Sequence, residues 1–173
     1  MDDQDRLREI LERNAKAVTL RPSLAQHTGR TVVRLRPGLE CEVEDGAWRL
    51  TVGMGEKSGG NNAGPGPGTL GRGALGSCLA IGYGMWAARL GVPLHSLEVE
   101  VAADYDSRGE LGVSDDVRPG YTQVRYTVTV DSPASREDVL RVLDTADKYS
   151  PYRDVFAGPN DVQRTVRFPG GGA

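Results

Sequence analysis

The sequence predicts an α+β domain in which helices pack on antiparallel sheets. Apolar and polar residues alternate in several short segments, as they do in half-buried antiparallel strands. A long uncharged segment with helical length separates these segments into two groups, and a second helical pattern follows them. The predicted order after an N-terminal helix is βββ-α-ββ-αα-β, which is typical of the α+β class.

The composition indicates a globular chain in a reducing compartment. Of 173 residues, 38% are hydrophobic and 26% are charged, which is enough for one domain and excludes a wholly disordered chain. A net charge of −3 without a basic tract argues against nucleic acid as a partner. Two cysteines make no disulfide framework, and the charged N-terminus does not resemble a signal peptide. We therefore expect a soluble, cytoplasmic protein.

The N-terminal third predicts a helix and a three-stranded unit. Residues 3–17 place apolar side chains on one helical face, and Arg21-Pro22 ends the helix. The segments TVVRLR, LECEVE and WRLTVGM are the predicted strands. Asp45-Gly46, between the second and third segments, is favoured in tight hairpin turns because both residues tolerate positive φ. The next segment, EKSGGNNAGPGPG, is predicted to be a loop.

The central helix is predicted to run from an N-cap at Thr69 to about Leu90. Its uncharged part, residues 73–88, is Gly-rich and shorter than the roughly 20 residues of a membrane span, so we expect a core helix and no membrane partner. Each mid-helix glycine costs roughly 1 kcal/mol relative to alanine. Close approach of neighbouring backbone on several sides is the expected compensation, which places this helix at the centre of the molecule.

The C-terminal half predicts two strands, two helices and a last strand. LEVEVAADYD and YTQVRYTVTV alternate, with the loop SRGELGVSDDVRPG between them. Ser132-Pro133 is predicted to be the N-cap and first residue of a helix, and Ser150-Pro151 starts a short further turn. VQRTVRF is predicted to be a final strand.

Three segments of the chain resemble the OsmC/Ohr family. ALGSCLAIGYGMWAARLGVPLHSLEVEV is similar to the family's central helix and following strand, and RGELGVSDDVRPGYTQVRYTV resembles the next loop and strand. ADKYSPYRDVF occupies the place of the family's second cysteine motif. The resemblance implies an intertwined homodimer, with strongly curved antiparallel sheets around long buried helices. We assign residues 1–22 to the N-terminal helix and linker, residues 23–168 to the OsmC-like domain, and residues 169–173 to a flexible tail.

The resemblance also implies a thiol peroxidase that reduces organic hydroperoxides, with Cys78 as the peroxidatic cysteine. A thiolate attacks the peroxide, becomes a sulfenic acid, and is restored by another thiol. A nearby positive charge must stabilise the thiolate. The resemblance gives this role to Arg36, with Arg34 as the alternative because the register across the loop is not fixed. Arg72 lies on a different helical face from Cys78 and would reach it only across a dimer interface.

Two positions depart from the family pattern. Gly68 stands where family members carry a glutamate that orients the arginine, and Ser150 stands where they carry the resolving cysteine. Serine forms no disulfide, so an external thiol reductant is required and no bound cofactor is expected. Ser150 is interpreted as a helix N-cap. Cys41 is interpreted as a packing residue, which could resolve Cys78 only if their Cα atoms lie within about 7 Å.

A non-catalytic function is the alternative. Cys78 is then an inert core residue, and the chain is a dimeric scaffold or a binder of small apolar ligands. Leu79, Met85 and Trp86 are candidates to line the pocket for such a ligand or for the alkyl part of a hydroperoxide.

Two other kinds of site are not supported by the sequence. His27 and His95 have no acidic or cysteine neighbours at ligand spacing, so no metal site is predicted. G-x-G-x-x-G occurs twice between residues 66 and 76, which resembles a dinucleotide fingerprint. A Pro-Gly loop precedes it where a strand is needed, and Gly91 stands where an acidic residue is needed, so nucleotide binding is not expected.

Overall fold

The structure is a computed structural model that describes residues 3–168. The tail predicted at residues 169–173 lies outside the described residues. Five helices are formed, namely α1 (Asp3–Leu20), α2 (Pro67–Leu90), α3 (Ser107–Glu110), α4 (Arg136–Lys148) and α5 (Pro151–Ala157). Five strands accompany them, namely β1 (Val32–Arg36), β2 (Glu40–Asp45), β3 (Trp48–Gly53), β4 (Ser96–Asp104) and β5 (Gln123–Asp131). The predicted α+β class is confirmed.

The strands form two separate antiparallel sheets. The first has the order β1-β2-β3, and the second pairs β4 with β5. The predicted hairpin between β2 and β3 is confirmed, with Asp45 opposite Trp48. Its two loop residues are Gly46 and Ala47, one position later than predicted, and Gly46 takes the positive φ of 55°.

Helix α2 is the central element of the body of the molecule, which consists of α1, α2, α4, α5, β4 and β5. It begins at Pro67, so the prediction of an N-cap at Thr69 is wrong. Proline is favoured at the first helical position because its missing N–H has no intrahelical partner there. At the other end Gly91 takes a φ of 66°, and its N–H donates to the carbonyl groups of Ala87 and Ala88. With this left-handed C-cap the helix ends at Leu90, as predicted.

The core lies on one side of α2, where α4, α5 and the β4-β5 sheet pack. Its fully buried side chains include Leu75, Leu79, Tyr83 and Val142. A Cβ added at Gly76 would lie 3.3 Å from Val101 of β4, so this glycine allows close packing as expected. Gly73 and Gly84 have open space around them, so the prediction of close approach on several sides is wrong for these positions. Another side of α2 is open, and Ile81 is 64% exposed there.

Helix α1 packs along α2 and extends three residues beyond the predicted segment 3–17. The division of the chain at residue 22 stays a prediction. Within residues 3–168, no helix combines the length and the apolar character that crossing a bilayer requires.

Three predictions in the C-terminal half are wrong. Helix α4 begins after Ser135, whose Oγ accepts a hydrogen bond from the backbone N–H of Asp138 at 3.1 Å. Ser132 instead forms a turn, because its Oγ accepts from Ala134 N–H at 3.1 Å and donates to the carbonyl of Pro93. The short helix α3 interrupts the predicted loop, with Asp106 as its N-cap. The final strand is absent, because residues 159–168 pair with neither sheet.

Candidate functional site

The centre of the candidate site is a contact between Cys78 and Ser150. The Sγ atom of Cys78, half buried on α2, lies 3.6 Å from the Oγ atom of Ser150. Ser150 is only 7% exposed and precedes α5. Its Oγ accepts a hydrogen bond from the backbone N–H of Arg153 at 3.3 Å, which confirms the predicted N-cap. The fold therefore brings together Cys78 and the position at which the resemblance placed a second cysteine.

A buried hydrogen-bond network lies beside this contact. Tyr83 and Tyr126 each donate from their hydroxyl to one carboxylate oxygen of Asp147, both at 2.7 Å. Arg153 donates from Nε to the hydroxyl oxygen of Tyr126 at 3.3 Å. The network joins α2, α4, β5 and α5, and it fixes the corner between α4 and α5 on which Ser150 lies.

The network was not predicted from the sequence, although Tyr83 was a signal for it. Tyr83 occurs in a helix without charged neighbours, and a buried tyrosine hydroxyl usually finds a hydrogen-bond partner. Tyr83 is 0% exposed. Burial raises its pKa far above the ordinary value, and the hydrogen bond to Asp147 raises it further. Burial also raises the pKa of Tyr126. Both phenols are therefore neutral donors at physiological pH.

The arginines predicted to activate Cys78 lie on the three-stranded sheet. Arg36 forms an ion pair with Glu42 at 2.5 Å, and Arg34 forms one with Glu44. Both pairs lie on the charged face of the sheet, since residues 34 and 36 share one strand face. Within residues 3–168, no arginine side chain hydrogen-bonds to Cys78. The activating role of Arg36 stays a prediction.

Arg72 lies beside Gly68, the position of the missing family glutamate. Its Nη1 donates to the hydroxyl oxygen of Tyr121 at 3.3 Å, and that hydroxyl donates to the carbonyl of Gly68 at 3.1 Å. A Cβ added at Gly68 would lie 3.4 Å from Nη1 of Arg72. A side chain at position 68 would therefore contact the guanidinium group of Arg72.

The three predicted pocket residues do not surround one cavity in the structure. Leu79 is buried in the core, whereas Met85 is exposed on another face of α2. Trp86 stacks on Tyr149, with ring centroids 5.3 Å apart, and Arg89 lies over its ring. Their role in ligand binding stays a prediction.

A cleft beside the site is lined by other residues. It has a volume of about 600 Å³ and lies between α5, the first half of β5 and the loop before β5. Leu75, one turn before Cys78 on α2, lines its floor. A second cleft of about 410 Å³ surrounds Arg72 and Gly68. Tyr121 lines both clefts.

The remaining candidate residues form neither a disulfide nor a cluster of metal ligands within residues 3–168. Cys41 lies on β2, opposite Leu35 and Val52, and both cysteines are free thiols. In the part of the chain that the structure describes, no group of three His, Cys, Asp or Glu side chains has the arrangement of a metal site.

A family model and several solved structures are similar to this chain, and they name the same family. A family model described as OsmC-like protein matches residues 59–164. An OsmC-like protein from Mycoplasma pneumoniae is similar in structure, with a TM-score of 0.67 and 14% identity over 77% of this chain and 89% of that chain.

Two further solved structures are named as organic hydroperoxide resistance proteins. The one from Legionella pneumophila has a TM-score of 0.57 and 14% identity, over 76% of this chain and 90% of that chain. The one from Elizabethkingia anophelis has a TM-score of 0.55 and 14% identity, over 77% and 90%. A search among curated proteins found no match. At these identities, the structural likeness shows the fold alone.

Proposed function

The chain belongs to the OsmC-like protein family, and from this premise we propose that it is a thiol-dependent peroxidase for organic hydroperoxides. The observation that carries the proposal is the 3.6 Å contact between Cys78 Sγ and Ser150 Oγ. Cys78 is half buried on the central helix rather than enclosed in the core, so a small peroxide needs little rearrangement to reach it.

The reaction proceeds in balanced steps on one cysteine. The thiolate of Cys78 attacks the outer oxygen of ROOH, the O–O bond breaks, and the alkoxide leaves as ROH after it takes up a proton. The product at Cys78 is a sulfenic acid. An external thiol attacks this sulfur and releases water, and a second thiol then breaks the mixed disulfide and restores Cys78.

Ser150 has two consequences for this cycle. Its hydroxyl lies where it can donate a hydrogen bond to the Cys78 thiolate, and hydrogen bonds to ionised groups are the stronger ones. Its oxygen cannot form a disulfide, so the reducing equivalents must come from outside the chain. The reductant is therefore a dithiol or a low-molecular-weight thiol.

A homodimer is part of the proposal, because the three-stranded sheet has an apolar face without a partner. Val33 and Leu35 of β1 share this face with Trp48 and Leu50 of β3, and Leu35 and Trp48 are 72% and 79% exposed. Exposed apolar faces of this kind are typical of protein interfaces. The open side of α2 around Ile81 is a second apolar surface. In this dimer Arg36 reaches the partner's thiolate by leaving Glu42 and passing the end of β1, because its side chain lies on the face opposite to Leu35.

The test measures loss of cumene hydroperoxide with dithiothreitol as reductant, in the wild-type protein and in Cys78→Ser. We expect turnover in the wild type and none in the variant. Ser150→Ala should retain turnover at a reduced rate, because it loses a hydrogen-bond donor to Cys78 and the N-cap of α5 but keeps the thiol. Absence of wild-type turnover, with Cys78 still a free thiol after exposure, would exclude the peroxidase.

The geometry of the site is tested by Ser150→Cys. The two sulfur atoms would then lie close enough for a disulfide after modest adjustment. We expect peroxide treatment to convert both thiols into an intramolecular disulfide, identified by peptide mass spectrometry. Ser135→Cys is the matched control, because it also replaces a helix N-cap serine but lies before α4 and does not contact Cys78.

A non-catalytic ligand-binding protein is the second candidate. The observation that favours it is that no arginine of residues 3–168 hydrogen-bonds to Cys78 in the single chain. The alkylation rate of Cys78 near neutral pH separates the two candidates, since an unreactive thiol in the folded protein supports the binding function.

A further inference from the structure

We propose that the cleft between α5 and β5 binds a small monocarboxylic acid with an apolar body. This binding site goes beyond the thiol chemistry proposed for Cys78 and does not depend on it.

The walls of the cleft suit an apolar body. Leu75 and Val124 line its inner part, and the rings of Tyr121 and Phe156 stack with centroids 6.4 Å apart and planes inclined by 15°. A volume of about 600 Å³ falls within the range of small-molecule sites.

The charged side chains that line the cleft are positive. Arg118 and Arg153 are the charged residues among the described residues that line it, and no carboxylate accompanies them. Arg153 donates only from Nε to Tyr126, which leaves its terminal Nη groups for a ligand. Asp147 lies behind Tyr126, and both of its carboxylate oxygens already accept hydrogen bonds from phenols. The cleft is therefore lined by two arginine side chains and by no carboxylate of the described residues.

Arg118 differs from most other arginines of the strands and their loops. Within residues 3–168 it has no ion pair or hydrogen bond, and its guanidinium lies over Gly120. The arginines of these segments that have a carboxylate partner are Arg34, Arg36, Arg49, Arg108 and Arg125. An unpaired guanidinium at the rim of an apolar cleft is suited to a carboxylate, which it binds through two parallel N–H donors.

The cleft and the thiol site are both formed by α2 and α5, but they use different residues or different atoms of the same residue. Arg153 supplies its backbone N–H to Ser150 and its side chain to the cleft. Leu75 lies in the cleft, and Cys78 follows it by one helical turn. A ligand held by Arg118 and Arg153 requires no reaction at Cys78, so binding and peroxidase activity can be measured separately.

The test uses 4-phenylbutyrate as the probe and 4-phenylbutan-1-ol as the uncharged match, with affinities measured by isothermal titration calorimetry. We expect the acid to bind at least about tenfold more tightly than the alcohol, because only the acid forms charge-assisted hydrogen bonds. Added salt should weaken binding of the acid and leave the alcohol unaffected. Equal affinities for acid and alcohol would overturn the proposal.

Three arginine variants locate the site. Arg118→Gln and Arg153→Gln should each weaken the acid about fivefold or more and change the alcohol little. Arg125→Gln is the matched control, because Arg125 points to the other face of β5 and pairs with Asp104. Unchanged affinity in Arg118→Gln, with thermal unfolding like that of the wild type, would overturn the assignment.

The Cys78→Ser variant separates acid binding from the proposed peroxidase activity. Acid binding that persists in this variant supports a site independent of the thiol, whatever the peroxidase assay gives. Acid binding lost in this variant, with its fold intact, would overturn the independence of the two sites.

Discussion

The three-stranded sheet and the body of the molecule are stabilised in different ways. In the body, α2 buries Leu75, Leu79 and Tyr83 against α4 and the β4-β5 sheet. In the three-stranded sheet, Val52 and Gly53 are the buried residues of β1–β3. One face of this sheet carries Arg–Glu pairs, and the other exposes apolar side chains.

This difference separates a region that buries its own apolar side chains from one that leaves most of them exposed. The body has a core of its own, whereas small sheets are stable only when one face packs on another element. Apart from Val52, the apolar face of the three-stranded sheet has the composition of a buried surface, yet Val33, Leu35, Trp48 and Leu50 are exposed.

The largest effect is expected from matched leucine truncations in the two regions. Leu79→Ala should lower the free energy of unfolding by about 2–5 kcal/mol, because it leaves a cavity in the core. Leu35→Ala should change it by about 0.5 kcal/mol or less at low protein concentration, because Leu35 is exposed. Urea denaturation followed by circular dichroism measures both.

The same pair of variants tests the dimer at higher protein concentration. If the sheet packs on a second copy, wild-type stability rises with concentration and Leu35→Ala loses this rise. A large loss in Leu35→Ala at every concentration would contradict the contrast between the two regions.

Removal of the Tyr83 hydroxyl should have the next largest effect. Tyr83→Phe should lower the free energy of unfolding by about 1–3 kcal/mol, because it leaves the Asp147 carboxylate with one hydrogen-bond donor fewer in a buried site. Tyr126→Phe is the control and should cost less, since Tyr126 is only partly buried. Equal losses in the two variants would argue against a special role for burial at Tyr83.

Alkaline pH should reduce the stabilisation that Tyr83 provides. Its folded-state pKa is raised, so its contribution is complete below the unfolded value of about 10 and is lost as the pH rises above that value. The loss amounts to up to about 1.4 kcal/mol per pH unit until the folded pKa is reached. The difference in stability between the wild type and Tyr83→Phe should therefore shrink from about pH 9 to about pH 11. If the stability difference between the two proteins stayed constant over this pH range, the folded-state pKa of Tyr83 would not be raised.

Arg36→Gln should have the smallest effect on stability and a clear effect on function. Its ion pair with Glu42 is exposed, and such pairs contribute little to folding, so the denaturation midpoint should not change. If Arg36 of one subunit stabilises the thiolate of the other, the rate of peroxide reduction should fall about tenfold or more. Arg34→Gln is the matched control from the same strand face and should keep the wild-type rate.

Much of the fold was predictable from the sequence, because its signals are local. The β2-β3 hairpin follows from a short glycine turn between alternating segments, and the end of α2 follows from Gly91. The final strand was predicted wrongly because alternation reports only which side chains share a face. A strand also requires a neighbouring strand for its backbone hydrogen bonds, and within residues 3–168 no strand pairs with residues 162–168.

The candidate site was predictable only in part. The Ser150 cap followed from the local Ser-Pro step, and its structural role is confirmed. The network of Tyr83, Tyr126 and Asp147 was not predicted, because its members come from three elements whose relative placement depends on packing. The start of α4 was misplaced by a few residues because Ser132 and Ser135 are equally good capping residues by local sequence.

The contact between Cys78 and Ser150 also has a consequence for how the protein acquires its structure. The two residues are 72 positions apart in the sequence, and they meet only after α2, the β4-β5 pair and the turn between α4 and α5 have assembled. Contacts between residues so distant along the chain form slowly, because a long loop must close first. Pulse labelling of Cys78 during refolding should therefore report the final assembly of the body, with the thiol protected only when nearly the whole chain is in place.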